Sequence, residues 1–353
     1  MLAASIGTLA ASLAVLTFGA SVSWLANLGM LGVLAAGCMC IMAGLHAVNA
    51  LARMALADGP VGVMPPLIAV GVALMSAFGM LLAIAGTFGM SRGRQLRKRG
   101  RVLLPPLGPG GEWARLPVNG RIPAAVRDAV AAQWRENGRT EHASVAAFAR
   151  LTMDMIALGA PPELIQSANL DARDEIRHAE LCFSLAKALD GRDGGPGPFP
   201  EAREARTLPS NRTLALAALA VDSLIDGALH EGLSARIIAQ LARRCDEPAI
   251  RALLLELAAD EGRHAAHGWD VVEWCLAEGG APVAHALRGA AAVLPAHPAT
   301  GLPPESRDGS WEAFGIHGAA LEEEQYGRAR AALTERVKTM TEPIFLRRLA
   351  TSV

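Results

Sequence analysis

Two stretches decide the fold: Asp174-Glu175-Ile176-Arg177-His178 and Asp260-Glu261-Gly262-Arg263-His264. Both read D-E-x-R-H, and both sit in long apolar-periodic segments with no proline nearby. On an α-helix, three residues turn about 300° and rise about 4.5 Å. Glu and His at i and i+3 therefore leave one face together and can reach one metal ion. A bundle that presents two such pairs, plus one Glu from each of two further helices, makes a dinuclear carboxylate site.

Working outward, the flanking sequence predicts helices over about 121–158, 162–189, 212–245 and 248–276. Pro123 suits a first helical turn, and Gly159-Ala160-Pro161-Pro162 breaks the first helix from the second. The stretch 190–211, dense in Pro and Gly, reads as a long irregular crossover. Two helix pairs joined by one long connection are the ferritin-like variant of the four-helix bundle. In the second helix Leu164, Ala168, Asp171, Glu175, His178, Cys182, Leu185 and Leu189 follow one another at spacings of three and four. Leu254, Leu257, Glu261, His264, Gly268, Val271 and Cys275 do the same in the fourth. Glu and His thus stand on the stripe that should be apolar. Burying them is costly unless they are paired or bind a metal.

The remaining carboxylates are expected on the first and third helices. Trp134, Glu141, Val145, Phe148, Thr152 and Met155 form one stripe, and Leu224, Glu231, Ala235, Ile238 and Cys245 the other, so Glu141 and Glu231 are the candidates. Both begin an E-x-x-S. Glu141 precedes Glu175 by 34 positions and Glu231 precedes Glu261 by 30, which makes the two helix pairs a degenerate internal repeat. Four carboxylates balance two divalent cations, which limits the desolvation cost. Mixed carboxylate and imidazole donors suit iron or manganese, and zinc also accepts them.

The pattern E…DExRH…E…DExRH, spanning roughly 121–280, resembles the ferritin-like di-iron carboxylate superfamily. The Asp before each Glu and the Arg before each His are similar to the multicomponent monooxygenase and ribonucleotide reductase small-subunit branch. The resemblance implies two Fe ions, with Fe/Mn or Mn as variants. One metal would take Glu141, Glu175 and His178, and the other Glu231, Glu261 and His264, with Glu175 and Glu261 bridging. It implies that Asp174 and Asp260 accept from the imidazole N–H groups, and that Arg177 and Arg263 pair with those aspartates.

Residues 1–52 hold no Asp, Glu, Lys or Arg, and 61–91 are again charge-free. The first run would be about 78 Å long as helix, against a hydrocarbon core of about 30 Å. Two spans fit there, turning near 21–27, and a third fits 61–91. A signal peptide fits poorly, since no basic n-region precedes the run. Arg92, Arg94, Arg97, Lys98, Arg99 and Arg101 follow at once and read as a cytoplasmic flank. The expectation is an all-α chain: about three transmembrane helices over 1–91, a basic segment and linker over 92–120, the ferritin-like bundle over 121–280, and a helical extension over 281–353. That extension would hold a short helix over about 282–294 and a last one over about 310–340. Its localisation would be a bacterial inner membrane, with the ferritin-like domain in the cytoplasm. The net charge of −1 and the lack of a basic stripe with interleaved aromatics argue against a nucleic-acid partner. Five cysteines in no metal or disulfide pattern read as buried free thiols.

Other residues read more plainly. His267 turns from the ligand face, His142 and His230 point about 100° from their neighbouring glutamates, and Glu322-Glu323-Glu324 reads as a solvated face. Asp171 suits either an outer contact to the site or a polar helix start. Three functions fit the pattern. The first is a membrane-anchored di-iron oxidoreductase using O2 or peroxide and an electron donor, with a lipid-soluble substrate as in the quinone hydroxylases it resembles. The second is ferroxidase or peroxide handling of the ferritin and rubrerythrin type, and the third a non-catalytic metal-stabilised sensor or adaptor. A homo-oligomer is compatible with all three. Tyr326 is the only tyrosine and lies outside the four ligand helices, which argues against a tyrosyl radical beside the metals.

Overall fold

The computed structural model describes Arg94 and residues 96–98, 101–200, 208–298 and 302–351. The expected spans within 1–91 lie outside these residues, as do Cys38 and Cys40. The chain divides into two compact units, Met1–Ala83 and Ile84–Val353, and every described residue belongs to the second. That unit is overwhelmingly helical.

Helix α1 (Ala124–Leu158) begins after Pro123 and stops at Gly159, whose φ of 73° only glycine adopts without strain. Pro162 opens α2 (Pro162–Asp190), which ends at Gly191 in the same left-handed conformation. Helix α3 (Arg212–Arg244) is capped by the Asn211 side chain, which accepts from Leu214 N–H at 3.0 Å. Helix α4 (Pro248–Gly279) starts with Glu247 accepting from Ile250 N–H at 2.8 Å. Helix α1 packs along α2, α3 along α4, and α2 meets α4. Trp134, Leu181, Leu185, Leu241, Ile250 and Leu254 join these helices in one apolar core. Cys182, Cys245 and Cys275 are buried free thiols, as expected.

Among the described residues α3 alone is long and apolar enough to cross a membrane. Here its apolar face is mostly buried and carries Glu231 into the interior. The α-periodicity of 212–245 does not announce the π-helical segment Ser223–Glu231 in its middle. Beside it, α3 and α4 touch backbone to backbone: a Cβ on Gly268 would lie 2.8 Å from Gly227 Cα and from Ala228 N.

Outside the four long helices the structure corrects two expectations and adds one contact. The segment expected as a linker within 92–120 is tied down over 107–116. Strand β1 (Leu107–Gly108) pairs antiparallel with β2 (Gly195–Pro196), and Leu116 N–H donates to Ser184 Oγ at 3.0 Å, strapping the segment onto α2. A further two-residue ladder joins Arg97–Lys98 to Arg101–Val102. The last helix does not begin near 310. Gly309 and Gly315, at φ of 83° and 80°, and Gly318, packed against Gly309, prevent helix there. Trp311 and Ile316 instead enter the core. The short helix α5 (Ala281–Ala292) and the last helix α6 (Ala319–Thr351) complete the unit, and α6 continues through Pro343. Glu322 is not solvated: it is buried, with Oε1 3.8 Å from His317 Nε2, while Glu323 and Glu324 are exposed.

The Gly227–Gly268 contact generates a prediction. Gly268→Ala forces the two backbones apart and costs about 1–3 kcal/mol, the usual penalty of overpacking. A lowered urea midpoint checks it; an unchanged midpoint rejects it.

Candidate metal centre

Glu141 on α1, Glu175 and His178 on α2, Glu231 at the end of the π-helical segment, and Glu261 and His264 on α4 all turn into one buried cluster. Two groups of ligating atoms overlap there. Glu141, Glu175, His178 and Glu261 lie within 4.8 Å of one another, and so do Glu175, Glu231, Glu261 and His264. Each group could hold a metal ion, and they share Glu175 and Glu261. The imidazole rings of His178 and His264 are 5.8 Å apart.

The orphaned atoms test the fit. Glu141 Oε2, Glu231 Oε2, both oxygens of Glu175 and Glu261, and Nδ1 of His178 and His264 are buried and make no hydrogen bond. Buried polar atoms are almost always satisfied, so eight converging orphans fit a missing cationic partner better than an apolar interior. The oxygen-rich donor set with two imidazoles suits hard and borderline divalent ions.

The surrounding contacts fix the imidazoles. His178 Nε2 lies 3.1 Å from Asp260 Oδ2, and His264 Nε2 lies 3.6 Å from Asp174 Oδ2. Asp260 thus accepts from the histidine of the other motif, while His264 Nε2 makes no hydrogen bond and lies near both Asp174 and Asp171. With Nε2–H facing an aspartate, the neutral ring turns its Nδ1 lone pair toward the glutamates. Arg263 spans both aspartates, 3.0 Å from Asp174 and 2.5 Å from Asp260. Arg177 does not pair with them. It is largely exposed and lies 3.2 Å from Glu256, so the expected symmetry of the arginines fails. Asp171 takes the outer role: its Oδ2 is 2.6 Å from His267 Nδ1, and its Oδ1 is 3.7 Å from His264 Nε2. His267 is buried beside it, outside both ligand groups. Phe148 packs edge-on against His264, with ring centres 5.4 Å apart. His142 turns to Trp113 and Phe199, and His230 to Asp226 at 3.3 Å.

One contact had no signal in the motif. Arg94 N–H donates to Glu231 Oε1 at 2.6 Å, and its guanidinium lies over the Phe148 ring, 5.3 Å from the centre. In the sequence Arg94 is one charge among six; in the structure it is buried.

Protonation follows from the crowding. Burial and the neighbouring Glu175 raise Glu141 well above its ordinary value, and burial with Glu231 does the same to Glu261. Burial raises Glu231 to about 7. Burial would also raise Glu175, but the facing imidazoles of His178 and His264 outweigh it and hold it at about 2. Burial alone would lower the histidines. Asp260 and Glu175 carry His178 to about 10, and Asp174 and Glu175 carry His264 to about 11. Without metal, protons hold this cluster together.

Comparison of the chain with protein-family models, curated proteins and solved structures found no match.

The raised values predict how metal-free protein responds to pH. Folded His178 and His264 keep protons that unfolded imidazoles lose above 6.5. Folded Glu141, Glu231 and Glu261 keep protons that unfolded carboxyls lose above 4.5. These contributions are complete below the unfolded values and vanish as pH rises through the folded ones. Glu175 acts in the opposite sense, and only below pH 4.5. The melting temperature of chelator-treated protein therefore falls from about pH 6 to about pH 9. A flat or rising profile contradicts the assignment.

Proposed function

We propose that residues 121–280 form a ferritin-like four-helix bundle holding a dinuclear iron centre. On this reading the chain is a membrane-anchored di-iron oxidoreductase that uses O2 or peroxide on a lipid-soluble substrate. The observation that carries the reading is the convergence of eight buried, unsatisfied ligating atoms from four helical segments.

The free oxygens suggest the division of labour. Glu175 and Glu261 leave both oxygens without hydrogen bonds and belong to both ligand groups, as bridging carboxylates would. Glu231 leaves one, because Arg94 N–H takes the other, as a terminal ligand would. Glu141 is its counterpart on the first metal. Bound ferrous ions would supply electrons for reducing O2 or peroxide.

The chain's own residues prepare that chemistry. Asp260 holds His178 in the tautomer that presents Nδ1, Asp174 faces Nε2 of His264, and Arg263 bridges the two aspartates. The burial of all six ligand side chains keeps bulk water from the centre. The charge-free runs within 1–91 support a membrane anchor and so a substrate drawn from the bilayer. Tyr326 is committed elsewhere, its hydroxyl donating to Pro295 O at 2.9 Å.

Metal analysis of full-length protein in detergent micelles tests the reading. After anaerobic loading with Fe2+, the chain carries two irons, while Glu175→Ala and Glu261→Ala fall below one. Metal at background in the unaltered protein sinks the proposal. Sustained oxidation of Fe2+ far beyond two per chain replaces the oxidoreductase with iron handling.

A further inference from the structure

We infer that Arg94 is a positioning residue of the dinuclear centre, through which the segment following the charge-free run governs the second metal position. The inference rests on the dinuclear reading above and adds a residue that lies outside both motifs and outside 121–280.

Four observations converge on it. Arg94 is 5% exposed, although it belongs to a run of basic residues that ordinary solvation would leave in water. Its N–H donates to Glu231 Oε1 at 2.6 Å, leaving Oε2 as that side chain's orphaned atom. Its guanidinium covers the Phe148 ring, whose edge packs on His264. Finally, a Cβ on Gly227 would come 2.7 Å from Arg94 Nη2. The π-helical segment thus presents a glycine where the guanidinium passes.

Glu231 and His264 are the two ligands that the second group does not share with the first. Arg94 touches the former through its main-chain N–H and reaches the latter through its guanidinium on Phe148. The first group has no such attachment to the basic segment among the described contacts, so the pseudo-twofold site is asymmetric. Docking of Arg94 therefore couples the basic segment to the second metal position. Such coupling is reciprocal: filling that position holds the segment, and holding the segment favours filling it.

Anaerobic titration of full-length protein in detergent micelles with Co2+, followed by visible absorbance, tests the inference. The unaltered protein takes up two equivalents. Arg94→Pro removes the main-chain N–H that orients Glu231, leaves the first unchanged and weakens the second about 10–100-fold, the usual cost of losing a group that orients a ligand. Arg94→Ala keeps that N–H but loses the guanidinium over Phe148 and falls between. If both variants bind two equivalents with unaltered affinity and spectrum, the role of Arg94 is overturned while the dinuclear reading stands. If the unaltered protein takes up none, both fall. Trypsin digestion of the unaltered, Co2+-loaded protein covers the case of a variant that does not fold. Docking makes cleavage after Arg94 much slower than after the exposed Arg121; equal rates overturn the inference.

Discussion

Four carboxylates and two imidazoles occupy one water-poor interior, and the rest of the unit answers to that constraint. Two carboxylates about 4 Å apart repel by about 4 kcal/mol at an effective dielectric of 20. An interior lined by Leu, Phe and Ala offers no solvent to relieve it. Only protons or cations between the oxygens can do so. That is why the metal-free centre gathers protons on both histidines and on Glu141 and Glu261 while leaving Glu175 charged between the two rings. A bound divalent cation would replace those protons in the same space, coupling metal affinity to proton release.

The helices are arranged to bring these groups that close. Helices α3 and α4 meet backbone to backbone at Gly227 and Gly268. Gly227 is four residues before Glu231, and Gly268 four after His264, so the approach falls one turn from the ligands on each side. A π-helical turn accommodates an extra residue, and such turns concentrate at functional sites. Here the turn ends on Glu231 and runs through Gly227, the residue that leaves room for Arg94. The glycine contact, the widened helix and the buried arginine serve one carboxylate.

Much of this was legible in the sequence because charge on an apolar stripe is a conspicuous violation. Glu175, His178, Glu261 and His264 stood out by spacing, and Glu141 and Glu231 by their position on the facing stripes; the structure brings all six together. Three features were not legible, each for a physical reason. The π-helical segment has no distinct composition, since Leu224 and Glu231 are seven apart and fit the α-helical stripe as well. The start of α6 depended on glycines whose positive φ and close packing are tertiary properties. Arg94 carried the signal of a membrane flank, and a one-dimensional pattern cannot distinguish a solvated arginine from one folded back into an interior.

The failed symmetry of the arginines shows what the repeat is for. Within either motif the Asp is one turn before the His, on the same helix. His178 turns Nδ1 toward Glu175 and Glu261, and His264 toward Glu175, so Nε2 faces away and meets an aspartate from across the interface. Asp260 lies within hydrogen-bond reach of His178 Nε2 at 3.1 Å, and Asp174 lies 3.6 Å from His264 Nε2. Neither helix pair can then build a complete site alone: each lends a glutamate to the other's group and places an aspartate toward the other's histidine. Once the two aspartates face each other across α2 and α4, a single guanidinium can pair with both, and Arg263 does so. The second arginine is redundant there, and Arg177 is released to Glu256 at the surface. A cluster built in this way makes the docking of α2 on α4 a precondition of ligand geometry in both groups.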